Sequence, residues 1–412
     1  MKLLYNIAML ISQSFIWLAS KFNNNKATLF LSGRENVFAL LEQKRLPGEH
    51  YVWFHAASLG EFEQGRPIME SLKNSHPEFK ILLTFFSPSG YEVRKDYQGA
   101  DIICYLPMDM SWNVKRFLDI VQPDCAIFIK YEFWMNYLLE LKKRQIKTYI
   151  VSAIFRESQL FFRSYGGFYR RLLKSFTHLF VQNDESVRLL HFIGFDNVTK
   201  VGDTRFDRVA DIAAKSKDLP IVQAFKSDAK VLIAGSSWPN DENILLPYFN
   251  QNFPLKLIIA PHEIDEEHLQ SIISQLKRPY IRYSQATIEN VKEADCLIID
   301  CFGLLSSIYR YGEIAYIGGG FGVGIHNILE AAVYGIPVIF GPNFRKFQEA
   351  VDLQQKGGAF VIENYESFSQ IMSEFLEENS SLYSSACKVS NDYSQANKGA
   401  TSKVVNAIFS QR

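Results

Sequence analysis

Three things are scarce in this chain of 412 residues. Charge of one sign is the first: 44 Lys and Arg balance 44 Asp and Glu. A protein that wraps nucleic acid carries a basic surplus, so no nucleic-acid partner is expected. Cysteine is the second. Cys104, Cys125, Cys296, Cys301 and Cys387 are odd in number, and no two stand at Cys-x-x-Cys spacing. That excludes a disulfide framework and argues against a zinc site, leaving inert thiols of a reducing compartment. The third is the Asp-x-Asp pair, which occurs nowhere. Such pairs commonly hold a divalent metal on a nucleotide diphosphate. Without one, a metal-independent site is favoured, in which backbone dipoles and basic side chains stabilise a leaving phosphate.

Apolar residues are plentiful at 47%, enough for sizeable cores in two or three domains. Residues 3–20 are mostly apolar, with Lys2 before them and Lys21 and Lys26 after. Leu18-Ala19-Ser20 makes a poor signal-cleavage site. The run is barely long enough to span a bilayer, and it carries Asn6, Ser12, Gln13 and Ser14. Asn6, Gln13 and Ser20 recur every seven residues and so share a face, while Phe15, Ile16, Trp17 and Leu18 supply apolar bulk. A membrane-associated helix, spanning or lying flat, is expected over residues 1–24; a buried N-terminal helix is the alternative.

Beyond it, short apolar runs alternate with amphipathic stretches. Seven candidate strands run from Tyr51–His55 to Val198–Gly202, and seven more from Val231–Ala234 to Ala359–Ile362. Between the two sets, 210–229 turns polar. The rhythm is βαβ, and strands apolar throughout belong to parallel sheets covered on both faces. The expectation is an α/β protein with one domain over 25–209 and a second over 210–412. Two such halves predict a cleft, with ligands at the carboxyl ends of the strands.

Four motifs stand at those strand ends. Gly318, Gly319, Gly320, Gly322 and Gly324 follow a strand, and a helix is expected to start near Asn327. Glycines allow close backbone approach, and a helix N-terminus suits a phosphate. Glu330, about one turn in, is placed to accept from a ribose diol. His55-Ala-Ala-Ser-Leu-Gly-Glu61 puts a carboxylate where it serves as general base or as a dipole-favoured first-turn residue. Lys130-Tyr-Glu-Phe-Trp134 offers a second carboxylate, Glu132, which is a cleft residue or a plain helix-start residue. In Gly202-Asp-Thr-Arg-Phe-Asp207, Arg205 either reaches an anionic substrate or pairs with Asp203 or Asp207.

Taken together, these motifs resemble bacterial Kdo transferase, the 3-deoxy-D-manno-octulosonic acid transferase of lipid A biosynthesis. The resemblance also covers the apolar N-terminus, Ser152-Ala153, Ala234-Gly235-Ser236 and Phe340-Gly341-Pro342. It implies a GT-B glycosyltransferase with two Rossmann-like domains, working without a cofactor on the cytoplasmic face of the inner membrane. The implied donor is CMP-Kdo, and the implied acceptor is the lipid A precursor, lipid IVA. Glu61 matches the family's proton acceptor, and Glu132 and Arg205 match residues assigned to the transition state. CMP contacts fall on Pro261 and His262, on Phe302, Gly303 and Leu304, on Gly319 and Gly320, and on Asn327, Ile328, Leu329 and Glu330. His262 departs from the usual Arg, and Arg205 and Lys130 replace a common Lys and a usual acid. Two alternatives stand beside this: a GT-B transferase using another nucleotide sugar, and a two-lobed periplasmic binding protein without catalysis. NAD is disfavoured, because a dinucleotide fingerprint belongs in the first βαβ unit and these glycines come late.

Overall fold

The computed structural model describes residues 2–22, 24–216 and 218–410. The chain forms two compact units. One extends to Asp207 and is rejoined by the chain at Gly399; the other is Arg208–Lys398.

The first unit holds β1 (His50–Ala56), β2 (Phe79–Phe85), β3 (Ile102–Tyr105), β4 (Cys125–Ile129), β5 (Lys147–Ala153), β6 (His178–Val181) and β7 (Val198–Lys200). They form a parallel sheet in the order β3-β2-β1-β4-β5-β6-β7. β4 shows why the strands read as unbroken apolar runs: all five of its residues are buried. Successive side chains enter opposite layers. Trp53 packs with Phe117, Phe128 and Tyr137 on one face, and Phe54 with Phe62 and Phe85 on the other.

The second unit holds β8 (Val231–Ser237), β9 (Lys256–Pro261), β10 (Tyr280–Arg282), β11 (Cys296–Ile298), β12 (Ile314–Ile317), β13 (Val338–Phe340) and β14 (Ala359–Val361). Their order is β10-β11-β9-β8-β12-β13-β14, again all parallel. Fourteen strands were expected from the sequence, and each lies within about three residues of its expected place. In the first sheet the order reverses direction between β1 and β4; in the second, β8 and β12 are the central neighbours whose next strands lie on opposite sides, with β10 and β11 interchanged at the edge. Ligands of doubly wound sheets bind at the carboxyl ends beside such a switch point.

The C-terminal helix Ala400–Phe409, assigned to the second half on sequence grounds, packs in the first unit. Val404, Val405, Ile408 and Phe409 enter the layer around Phe54 and Phe62. Asp207 fastens its start, accepting from the backbone N–H groups of Gly399 and Thr401. Periodicity shows which face of a helix is apolar but not which sheet that face covers.

The N-terminal helix Lys2–Lys21 has no buried residue, which removes the buried-helix alternative. Tyr5, Asn6, Met9, Gln13, Ile16, Ala19 and Ser20 are half-buried, one stripe at helical spacing. The Tyr5 hydroxyl donates to Asp109 Oδ2 at 2.6 Å, and Asn136 Nδ2 donates to Asn6 Oδ1 at 2.9 Å. Met9 and Ile16 pack against Phe30, Met108 and Met110. Tyr5, Asn6, Gln13 and Ser20 therefore share the protein-facing stripe with Met9, Ile16 and Ala19. The outward face carries Leu3, Leu4, Ile7, Leu10, Ile11, Phe15, Trp17 and Leu18, with Phe15 67% exposed. Burial pushes the Asp109 carboxyl up to about 6, against the opposing bonds from Tyr5 and the N–H groups of Asn136 and Tyr137.

At the second switch point the glycine-rich turn is packed against its neighbours. A methyl group on Gly318 would lie 2.1 Å from the Ser236 carbonyl oxygen, and one on Gly320 would lie 2.5 Å from the Gly341 nitrogen. Both obstacles are backbone. The Gly319 N–H donates to Asp241 Oδ2 at 2.9 Å. Gly318, Gly322 and Gly324 donate to Gly235, Gly319 and Gly319 carbonyls respectively. The three strand ends thus approach backbone to backbone. Gly320→Ala should destabilise the protein by about 1–3 kcal/mol, the usual range for overpacking. Urea unfolding checks this, and an unchanged midpoint would mean that the glycine serves only ligand access.

Candidate functional site

In the first unit the site is built from the ends of β1 and β4. Ser58 precedes the helix Leu59–Ser75, and Glu61 lies in its first turn. Ser-x-x-Glu at a helix start normally forms reciprocal caps. Here Ser58 makes no cap, and its hydroxyl donates to Glu61 Oε2. Lys130 Nζ lies 4.0 Å from Glu61 Oε1. Glu61 is half-buried, so the first-turn placement and a chemically reachable carboxylate hold together.

Lys130 follows β4 with φ at 64°, a left-handed conformation that a non-glycine residue adopts at some cost. The chain turns there, and Glu132 comes back over the sheet. Its Oε2 accepts from Trp134 Nε1 at 2.7 Å and lies 3.3 Å from His55 Nε2. Glu132 is not a helix-start residue, since the next helix begins at Met135. Trp134 in turn packs on Phe86 with ring centroids 4.4 Å apart.

Arg205 pairs with Asp203. Its Nε and Nη2 both reach Asp203 Oδ2, at 2.9 and 2.6 Å, and its own N–H reaches Oδ1. Asp203 is buried, so the guanidinium is held from behind. Thr204 donates to the Gln64 carbonyl at 2.6 Å, fixing the motif to the helix that carries Glu61. Asp207 serves the C-terminal helix, so each polar residue of this motif has its own partner.

In the second unit, Pro261 ends β9 and His262 follows. The His262 ring stacks on two others, 4.7 Å from Trp238 and 4.3 Å from His326. Trp238 Nε1 donates to His326 Nε2 at 3.1 Å. Burial, then the neighbouring His262, lowers His326 to about 4, so its imidazole is neutral near pH 7. Glu330 accepts from Ser306 at 2.6 Å and from Asn327 Nδ2 at 3.1 Å. Ser306 belongs to the short helix Leu305–Ile308, which follows Phe302, Gly303 and Leu304, and so brings that segment to Glu330. Phe302 and Gly303 are exposed.

One expectation needs correction. The helix after the glycine turn starts at Leu329, not near Asn327, and spans only Leu329–Ala332. Glu330 is therefore in its first turn, and four residues align too few peptide dipoles for the helix end to dominate. Ile328 and Leu329 are fully buried core residues. Gly319, with its N–H on Asp241, and Gly320, against Gly341, are packing residues. Sequence reasoning missed Trp238, Asp241, Ser306 and His326, and the part played by His55. Asp241 and Trp238 immediately follow β8, one of the two switch-point strands, and that position was the available signal.

Among the described residues, no group of three or more His, Cys, Asp or Glu is placed to hold a metal ion.

The model of the family described as 3-deoxy-D-manno-octulosonic-acid transferase (kdotransferase) matches residues 32–208. The 3-deoxy-D-manno-octulosonic acid transferase of Aquifex aeolicus is 31% identical over 320 residues, 76% of this chain and 82% of its own. That of Rickettsia bellii is 27% identical over 368 residues, 85% of this chain and 86% of its own. Among solved structures, the UDP-GlcNAc 2-epimerase of Neisseria meningitidis has a TM-score of 0.62 at 16% identity, covering 87% of this chain and all of that one. Acinetobacter baumannii MurG has a TM-score of 0.57 at 12% identity, covering 87% and 99%. These two share the GT-B fold of paired parallel α/β units. With nearly a third of positions identical over most of both chains, the protein belongs to the 3-deoxy-D-manno-octulosonic acid transferase family and is a glycosyltransferase.

Proposed function

We propose that the enzyme moves Kdo from CMP-Kdo to the lipid A precursor lipid IVA, in lipopolysaccharide biosynthesis, with inversion at the anomeric carbon. The observation that carries this is Glu61: a reachable carboxylate at a switch-point strand end, held by Ser58 and flanked by Lys130. A primary hydroxyl is a poor nucleophile. Glu61 takes its proton as the oxygen bonds to the anomeric carbon, the bond to the CMP phosphate breaks, and CMP leaves from the opposite face. Glu132 faces positive charge developing on the sugar, and Arg205, anchored by Asp203, opposes negative charge on the phosphate or the sugar carboxylate.

The nucleotide falls to the second unit. Glu330, already accepting two hydrogen bonds, is oriented for a ribose diol. His262, Phe302, Gly303, Leu304 and Asn327 surround the same strand ends, and Pro261 places His262. Phosphate stabilisation comes from groups around the turn, since the short helix supplies little.

The acceptor carries acyl chains and stays in the bilayer. The N-terminal helix fits that demand, since it presents its apolar face outward and is flanked by Lys2, Lys21 and Lys26. By length and composition it is apolar enough to cross a membrane. Contacts from Tyr5 to Ile16 along one unit favour a helix lying in the membrane plane on the cytoplasmic face of the inner membrane.

Three outcomes test this. Glu61→Gln should lower turnover of lipid IVA by about 100-fold or more while CMP affinity stays within a few-fold. A rate near wild type would remove Glu61 as the base. Glu330→Ala should weaken CMP by about 1.5–3 kcal/mol in calorimetry, the range for hydrogen bonds to a charged group; equal affinity would place the ribose elsewhere. Ile11→Asp with Phe15→Asp should abolish flotation with phospholipid vesicles and leave the rate on detergent-dispersed acceptor within about threefold. Unchanged flotation would mean that another surface is the anchor.

A further inference from the structure

His55 is fully buried, yet it is the one imidazole in contact with Glu132. A buried ring needs partners on both nitrogens, and the surroundings decide which nitrogen carries the proton. β1 and β2 pair His55 with Thr84. His55 Nδ1 lies 2.9 Å from Thr84 Oγ1. Trp53 Nε1, also buried, donates to that same Oγ1 at 2.8 Å. With a donor already entering the oxygen, the hydroxyl proton must point away from Trp53. It goes to His55 Nδ1 at 2.9 Å or to the Phe54 carbonyl at 3.3 Å; in the second case Nδ1 is itself the donor to Thr84, whose carbonyl lies 3.2 Å away, so this side of the ring accommodates either tautomer.

The far side of the ring decides between them. Nε2 faces Glu132 Oε2 at 3.3 Å. A lone pair there would oppose a carboxylate oxygen, whereas a proton there makes a charge-assisted hydrogen bond. Trp134 Nε1 is 2.7 Å from Oε2 and 3.0 Å from His55 Nε2, so its proton favours the carboxylate as well. Two N–H donors then converge on Oε2. Oε1 has no hydrogen bond among the described residues, and the side chain is 15% exposed.

We propose that His55 is a positioning residue for Glu132: the carboxylate selects the Nε2–H tautomer, Thr84 donates to Nδ1 behind it, and with Trp134 the ring pins one carboxylate oxygen so that the other is presented to the reacting sugar. The chain Trp53, Thr84, His55, Glu132 runs through neighbouring strand ends of one sheet and ends at a half-exposed group. The proposal rests on the assignment of Glu132 to the reacting centre, and its test separates the two.

Four variants are compared with saturating acceptor: His55→Asn, His55→Gln, Glu132→Gln and His55→Asn with Glu132→Gln. The Gln carboxamide reaches the Nε2 position with an N–H, whereas the shorter Asn does not. His55→Asn should lower kcat at least about tenfold with donor KM within about twofold, and His55→Gln should recover to within about threefold of wild type. The double variant should be no slower than Glu132→Gln alone, because the two residues act through one carboxylate. Wild-type kcat for His55→Asn, equal losses for Asn and Gln, or multiplicative losses in the double variant would each overturn the proposal. A Glu132→Gln enzyme at the wild-type rate would instead overturn the assignment of Glu132, and the relay with it. One measurement needs no variant to fold in the active form. The 15N spectrum of histidine-labelled wild-type protein should show a neutral, buried Nε2–H ring, and an Nδ1–H ring at His55 would end the proposal.

Discussion

Every strand in both sheets runs parallel to its neighbours, and most of the functional geometry follows from that constraint. Parallel strands need crossovers that return along the sheet faces, so all carboxyl ends of a sheet emerge on the same edge. Where the winding reverses, two adjacent crossovers leave in opposite directions and uncover the strand ends between them. β1 and β4 carry Glu61 and Glu132 to one such point. β8 and β12 carry Trp238, Asp241 and the glycine turn to the other. None of these residues lies close in sequence to its partner across the switch point.

What occupies the uncovered ends differs between the units. In the first they are polar side chains held by other side chains: Ser58 on Glu61, Trp134 on Glu132, Asp203 on Arg205. Each of these charges is held by an oriented partner, so less rotational freedom remains to be lost than for an untethered side chain. In the second, the glycines let three strand ends meet backbone to backbone, and Asp241 stitches the turn by accepting from Gly319, Tyr316 and Trp238. A glycine cluster can signal close approach without saying what approaches. Here much of it is another peptide.

The N-terminal helix reverses the arrangement expected in water. Tyr5 and Asn6 contact the protein, beside Met9 and Ile16, while most of the helix's large apolar residues face outward. Asn6 and Tyr5 are satisfied by Asn136 and Asp109, so the helix is docked by polar contacts that a hydrocarbon surface would reinforce, because lipid offers those groups no alternative partner.

Sequence alone determined the class of fold. Unbroken apolar runs such as Cys125–Ile129 alternating with amphipathic stretches have few solutions besides parallel sheets, and the motifs at their ends marked Glu61, Glu132, Arg205 and Glu330. Spacing could not tell whether Arg205 reached Asp203 or Asp207, because both lie two residues away; in the fold its Nε and Nη2 are on Asp203. Nor could it show that His55, read only as the first letter of a motif, backs a carboxylate 77 residues later, or that His262 stacks on both His326 and Trp238. Those contacts join residues on different strands, and their register is fixed by packing of the whole sheet. The last helix shows the same limit: its apolar stripe is plain in the sequence, but the layer it completes belongs to a sheet whose strands end two hundred residues earlier.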